Sequence, residues 1–353
     1  MRLPVPRLLA AATTLTLAAT ALVACSGGGG GADTVTLVAH DSFVISKPVR
    51  RAFEASTGLN LRIVRSGDAG AALNQVILTA DHPLGDAFFG VDNTLLSRAL
   101  TSKVFARYTP KAARRISAEF VIDPSHHVTS VDYGDVCVNY DRGYFADGEE
   151  RAIPQTLDDL AKPQFAKLLV VENPATSSTG LAFMLASIAR YGEDGWRDWW
   201  AKLRAGGVKV VEGWEQAYNT EFSGSAGKGD FPLVVSYATS PPAEVIYADP
   251  KPMTAPTGNL DQTCFRQIET VGVLRNAEHP AAARRLVDFM LGEQFQEDVP
   301  LGMFVYPVRP GTPVPPEFTQ YAGKPTDPFR VPPARIAAHR DQWLEQWNAT
   351  VLR

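Results

Sequence analysis

The chain has 353 residues, 45% apolar and 20% charged, with a formal net charge of −4. Such a length and apolar content exclude a disordered chain and leave room for two domains with cores of their own. The acidic balance excludes a nucleic-acid footprint, so no nucleic-acid partner is expected.

The first residues set the compartment. Arg2 and Arg7 form a basic start, residues 8–24 are uncharged and apolar, and L-V-A-C closes the segment at Cys25. This pattern predicts a lipoprotein signal peptide over 1–24, cleavage before Cys25 and acylation of its thiol. The apolar run is short for a membrane-spanning helix. The S-G-G-G-G-G-A-D stretch then makes 25–33 a flexible tether. Loss of Arg2 and Arg7 takes the formal charge from −4 to −6. The body of the protein is expected outside the cytoplasm, lipid-anchored to the cell membrane.

Strand and helix patterns then alternate: T-V-T-L-V-A (34–39), a helix over 48–58, L-R-I-V (61–64), a helix over 69–80, and D-A-F-F-G (86–90). Alternation of this kind predicts an α/β fold. Gly58 stands where a helix should stop and Asp68 where the next should start. The pattern resumes with L-L-V-V-E (168–172), a helix after Gly180, V-K-V-V (208–211), a helix after Gly213, and P-L-V-V-S-Y (232–237). Residues 280–291 and 333–347 read as amphipathic helices, and the proline-rich 307–316 as a stiff surface segment.

Two runs look like domain crossings, V-D-Y-G-D-V-C-V-N-Y (131–140) and T-C-F-R-Q-I-E-T-V-G-V (263–273). Each carries one of the cysteines left after Cys25. In an oxidising compartment a disulfide between Cys137 and Cys264 is expected, with two buried thiols the alternative that spacing leaves open.

Seven fragments carry a family likeness: H-D-S-F (40–43), G-V-D-N-T-L-L (90–96), V-D-Y-G (131–134), T-S-S-T-G-L (176–181), G-W-E-Q-A-Y (213–218), S-Y-A-T-S-P (236–241) and Y-P-V (306–308). In this order and spacing the chain resembles the thiamine-binding proteins of bacterial ABC importers, from about Thr34 to the last helix. The resemblance implies a two-lobed periplasmic-binding-protein fold of type II, with two crossing hinge strands. One lobe would comprise 34–133 and 264–353 and the other 134–263. It further implies a monomer without cofactor, partnered by thiamine or thiamine phosphate, an ABC permease and its ATPase.

Thiamine joins a flat aminopyrimidine to a thiazolium cation and a hydroxyethyl tail. Aromatic faces suit it, a cation over such a face gaining about 0.5–2 kcal/mol. Trp214 and Tyr237 lie at strand ends and, on the family likeness, are the expected faces, with Tyr218 of G-W-E-Q-A-Y assigned to the same site. His40 stands where the family reads tyrosine in Y-D-S-F, and Phe304 where it reads tryptophan in G-N-W-M-Y-P, with Tyr306 following. These smaller surfaces put the affinity and the choice among thiamine and its phosphates in question. A charged His40 beside a cation is unfavourable, so weaker binding at acidic pH is expected. Asp41 and Ser42 are placed near the ligand. Asp92 is assigned a capping or turn role.

Thr176, Ser177, Ser178 and Thr179 precede a helix beginning near Gly180. Free amides and the positive end of the helix dipole would cradle a phosphate or the ligand's hydroxyl there. S-G-D-A-G (66–70), with Asp68, would offer a second set of amides.

Enzyme motifs are absent: there is no G-x-S-x-G, and G-S-A-G-K-G (224–229) lacks phosphate-loop spacing. No metal-ligand spacing occurs, and His126 and His127 would point to opposite faces of a strand. The chain is therefore read as non-catalytic and without a metal site. The alternatives carried forward are a binder of another cationic or phosphorylated small molecule, a ferric-ion binder, and last a secreted hydrolase.

Overall fold

A computed structural model describes residues 33–146 and 152–353. The signal segment and Cys25 lie outside the described residues, as does all of the tether except Asp33.

The described residues build one nine-stranded sheet of mixed direction. Eight strands follow the order β2-β1-β3-β8-β4-β7-β5-β6, and β9 pairs on β4. β1 (Thr34–Ala39), β2 (Asn60–Arg65) and β3 (Ala87–Asp92) are parallel, with β1 between the other two. β5 (Leu169–Glu172), β6 (Lys209–Val211) and β7 (Leu233–Tyr237) form a second parallel set. Between the two sets run β4 (Thr129–Asp141) and β8 (Thr257–Val273), antiparallel to each other along most of their length. Their 13 and 17 residues reach roughly 40–55 Å when extended, enough to belong to both halves. Cys137 on β4 and Cys264 on β8 are joined by a disulfide. β9 is the short Tyr306–Pro307 segment, opposite Tyr133 and Asp132.

Local chemistry explains the first elements. The Lys47–Thr57 helix starts at Ser46, whose hydroxyl accepts from the Val49 amide, and stops at Gly58 with φ 69°. The Ala69–Leu78 helix starts at Asp68. The Ser178–Ala205 run breaks at Gly192 (φ 70°), so it is two helices in line.

Two large cores pack the sheet, one on a single face of the first parallel set and the other continuous from that set's opposite face to the second set. Phe43, Phe53, Phe89, Phe295 and the Pro280–Met290 helix bury the first parallel set. Under the second lie Phe183, Trp196, Trp199, Trp200, Trp343 and Trp347, all buried. Full burial of such side chains is worth about 1.5–3 kcal/mol each. The chain has six tryptophans, and these cores take five. Trp214 is the one left over.

Candidate functional site

A cleft of about 810 Å3 opens between the two halves, at strand ends of both. This lies within the usual range for small-molecule sites. His40, Ser42 and Asp68 line it from the first half, Met303, Phe304 and Val305 from the segment before β9, and Ser178, Thr179, Trp214, Tyr218, Tyr237 and Tyr247 from the second half.

Trp214 is oriented at three points. Its amide donates to Asp68 Oδ2 at 2.9 Å, its indole Nε1 donates to Ser236 Oγ at 2.8 Å, and its ring stacks on Tyr218 at 5.1 Å and 10°. Tyr237 meets the same indole edge-on, at 6.4 Å and 60°. The Tyr218 hydroxyl donates to Glu244 Oε1 at 2.9 Å. Burial pushes the Tyr218 and Tyr237 phenols well above their ordinary pKa, reinforced by nearby carboxylates, so both stay neutral. Three linked aromatic faces thus present neutral π-surfaces along one wall. Across the mouth, Phe304 meets Tyr247 edge-to-face at 5.4 Å, and the Tyr247 hydroxyl donates to the Leu301 carbonyl at 2.6 Å. Phe304 holds a positive φ of 56°. That is an uncommon backbone for a bulky residue, and the surrounding structure must impose it.

The charge of the lining is uneven. Asp68, Glu215, Glu244, Asp249 and Glu269 face His40 and Lys228. His40 lies against β3 because Gly90 (φ 118°) has no Cβ: one there would stand 2.8 Å from the imidazole Cδ2. Its Nε2 stands 3.4 Å from Glu269 Oε1. Burial lowers the pKa of this imidazole, but Glu269, then Asp68 and Asp41, outweigh it and hold it above its ordinary value.

The hydroxyl-rich loop has a different fate from the expected open cradle. The Ser178 amide at the helix start donates to Asp68 Oδ1 at 3.3 Å, and the Ala69 amide donates to the same oxygen at 2.6 Å. The anion at this helix end is therefore a carboxylate of the chain itself. Asp68 is pushed above its ordinary pKa by burial, partly offset by the Trp214 amide and His40. Ala71 donates its amide to the Thr176 carbonyl at 2.9 Å, so the second set of amides docks against the first loop rather than facing a ligand.

The hydroxyls are used too. Thr176 Oγ1 donates to the Glu212 carbonyl at 2.7 Å, Ser177 Oγ accepts from the Gly180 amide at 3.4 Å, and Thr179 Oγ1 shares a 2.9 Å contact with Ser177 Oγ. Gln267 Nε2 donates to Ser178 Oγ at 3.1 Å and to Asp92 Oδ2 at 2.8 Å. Gly180 is where the helix touches β5: an added Cβ would sit 2.5 Å from the Glu172 carbonyl oxygen.

Of the residues singled out from sequence, the cleft brings together His40, Ser42, Asp68, Ser178, Thr179, Trp214, Tyr218, Tyr237 and Phe304. Asp41, Thr176, Ser177, Gly180 and Tyr306 are not in its lining; Tyr306 instead stacks on Tyr133 at 5.3 Å. Asp92 caps its own turn, accepting from the Thr94 and Leu95 amides at 3.0 Å each. Sequence reading missed Glu215, Glu244, Tyr247, Lys228 and Glu269. A signal existed for Glu269: Q-I-E in an apolar strand puts Gln267 and Glu269 on one face at period two.

The bacterial extracellular solute-binding protein family model matches residues 83–339. The thiamine-binding periplasmic protein of Escherichia coli (strain K12) is 29% identical over 327 residues, 90% of this chain and 94% of that one. A solved periplasmic thiamin binding protein superimposes with a TM-score of 0.78 at 27% identity, over 92% of this chain and 98% of the other. Iron-bound HitA from Pseudomonas aeruginosa gives 0.71 at 20% identity, over 90% and 99%. The shared architecture is the type II periplasmic-binding-protein fold, α/β with two crossing strands, and at 20% identity the likeness to HitA concerns the fold alone.

Proposed function

The chain belongs to the bacterial extracellular solute-binding protein family, and we propose that within it the protein captures thiamine, or a thiamine phosphate, and delivers it to an ABC permease and its ATPase. The observation that carries this reading is the wall of Trp214, Tyr218 and Tyr237 beside a carboxylate-rich lining. A flat cationic heterocycle gains from both: cation–π attraction is worth about 0.5–2 kcal/mol and ring stacking about 0.5–1.5 kcal/mol. A cleft that takes contacts from two halves favours the closed arrangement when filled.

On this reading 34–133 with 264–353 forms one lobe and 134–263 the other, and the monomer is tethered through an acylated Cys25. It is a carrier without catalysis. Ferric-ion capture by a tyrosine pair calls for adjacent phenols, whereas Tyr133, Tyr140, Tyr218 and Tyr237 are scattered along the chain, and the Tyr218 hydroxyl donates to Glu244. Their setting favours the organic cation. The phosphate of a phosphorylated ligand would meet a helix end already satisfied by Asp68, which favours unphosphorylated thiamine.

Calorimetric titration of the purified protein with thiamine, its monophosphate and its diphosphate tests the reading. One thiamine per chain is expected, bound more tightly than either phosphate. No heat with any of the three would refute the proposal.

A further inference from the structure

Three carboxyl groups stand at one level across three neighbouring strands. Register places Asp92 of β3 opposite Glu269 of β8, and Glu269 opposite Asp132 of β4. Like charges directly opposite one another destabilise a sheet. Two of the three are relieved. Asp92 accepts from Gln267 and its own turn. Asp132 is fully buried, and burial, then the charge of neighbouring Glu269 and a hydrogen bond to it, pushes its pKa well up, so it holds a proton. Glu269 is the member that reaches the cleft, with a side chain 7% exposed.

The only cationic group within ion-pair distance of Glu269 among the described residues is His40, at 3.4 Å. That approach lacks hydrogen-bond geometry, since Nε2 has no hydrogen-bond partner. The groups facing His40 are Glu269 on β8, with Asp132 and Asp92 behind it, Asp68 before the Ala69–Leu78 helix, and Asp41 next to it in the chain. The neutral phenol of Tyr237 lines the same cleft, as does Lys228. Facing acids favour the charged imidazole while the cleft is empty. A permanent cation entering beside it reverses the balance: the two positive charges repel, and only the imidazole can shed its charge.

We propose that Glu269 is the counter-charge of the captured cation and that the ligand takes the place of the proton on His40, so that capture releases one proton. This rests on the thiamine reading above. It adds a residue that selects for charge rather than shape, and ties the weaker binding expected at acidic pH to a countable proton. In the step the Nε2–H or Nδ1–H bond breaks, the electron pair stays on the imidazole, and the proton passes to solvent. The cleft's net charge is unchanged.

The test is calorimetry of the full mature protein with thiamine at pH 6, 7 and 8, each in two buffers of different ionisation enthalpy. The dependence of apparent heat on that enthalpy counts protons. Proton release should approach one per thiamine at pH 6 and fade as pH rises past the point where His40 of the free protein is neutral. In the same window Kd should rise by up to about tenfold for each unit of acidification. His40→Gln should bind with no proton release and a flat Kd, and Glu269→Gln should bind at least about tenfold more weakly with no release. The wild-type count stands even if Glu269→Gln does not fold. Thiamine binding with no proton exchange at any of these pH values overturns the inference while leaving the ligand reading intact, as does equal release by His40→Gln. Failure of thiamine to bind the wild type overturns both.

Discussion

Replacing Asp68 by alanine tests how the two halves hold together. Its carboxylate accepts from Ala69 at 2.6 Å within its own half, and from Ser178 at 3.3 Å and Trp214 at 2.9 Å in the other. Removing it strands two amides of the second half in a buried interface. Hydrogen bonds to a charged group are worth about 1.5–3 kcal/mol, and the long Ser178 contact falls below that range. Against this, alanine relieves the cost of burying a carboxylate, which the raised pKa of Asp68 records. The net loss should be about 2 kcal/mol, roughly 30-fold in the ratio of closed to open forms. An open form lets water satisfy both amides, so the loss falls on closure rather than on folding. X-ray scattering of the ligand-free protein should show a larger radius of gyration for Asp68→Ala, and its thiamine affinity should drop by about the same factor. Unchanged radius and an affinity within twofold of wild type would refute the reasoning.

Other consequences are as direct. Trp214→Ala should weaken thiamine binding by about 1–3 kcal/mol, because it removes the ligand's face and the Tyr218 stack together; an unaltered Kd would remove Trp214 from the site. Asp92 is pushed up to about 6, mainly by burial, against an ordinary value of 3.8. Its protonated form is the one the fold prefers, so its contribution is present below pH 4 and lost as pH rises through 6. Asp92→Asn cannot ionise and should therefore gain up to about 3 kcal/mol on wild type between pH 4 and pH 7; urea titrations showing a constant difference would contradict this. Gly180→Ala drives a Cβ into the Glu172 carbonyl and should cost about 1–3 kcal/mol, lowering Tm by roughly 2–6 °C. An unchanged Tm would mean the helix can shift off β5.

Much of the architecture was readable because it rests on local signals. β-branched runs gave the strands, Gly58 and Asp68 bounded the first two helices, and the cysteine-bearing runs proved to be the long paired strands β4 and β8. Trp214, Tyr218 and Tyr237 could be picked out because they follow strands whose ends converge. The loop at 176–179 misled for a reason of the same kind. Its polar groups looked free because Asp68, which accepts from the Ser178 amide, and Gln267, which donates to the Ser178 hydroxyl, lie about a hundred residues away in the chain. The row of Asp92, Glu269 and Asp132 was likewise hidden. It exists only once β3, β8 and β4 are brought into register, and bulges in both pairings shift that register from any simple count. Tyr247 gave no signal, since a tyrosine closing a helix reads as ordinary surface.

The central claim is that a charged heteroaromatic ring is held between neutral aromatic faces and the carboxylates lining one cleft. Comparing thiamine with thiochrome, its neutral oxidised tricyclic derivative, tests it most directly. Both present flat rings, and only thiamine carries the permanent charge. Competition titration should rank thiamine at least about tenfold tighter, the factor that 1.4 kcal/mol of charge recognition supplies. Equal affinities for the two would contradict the account.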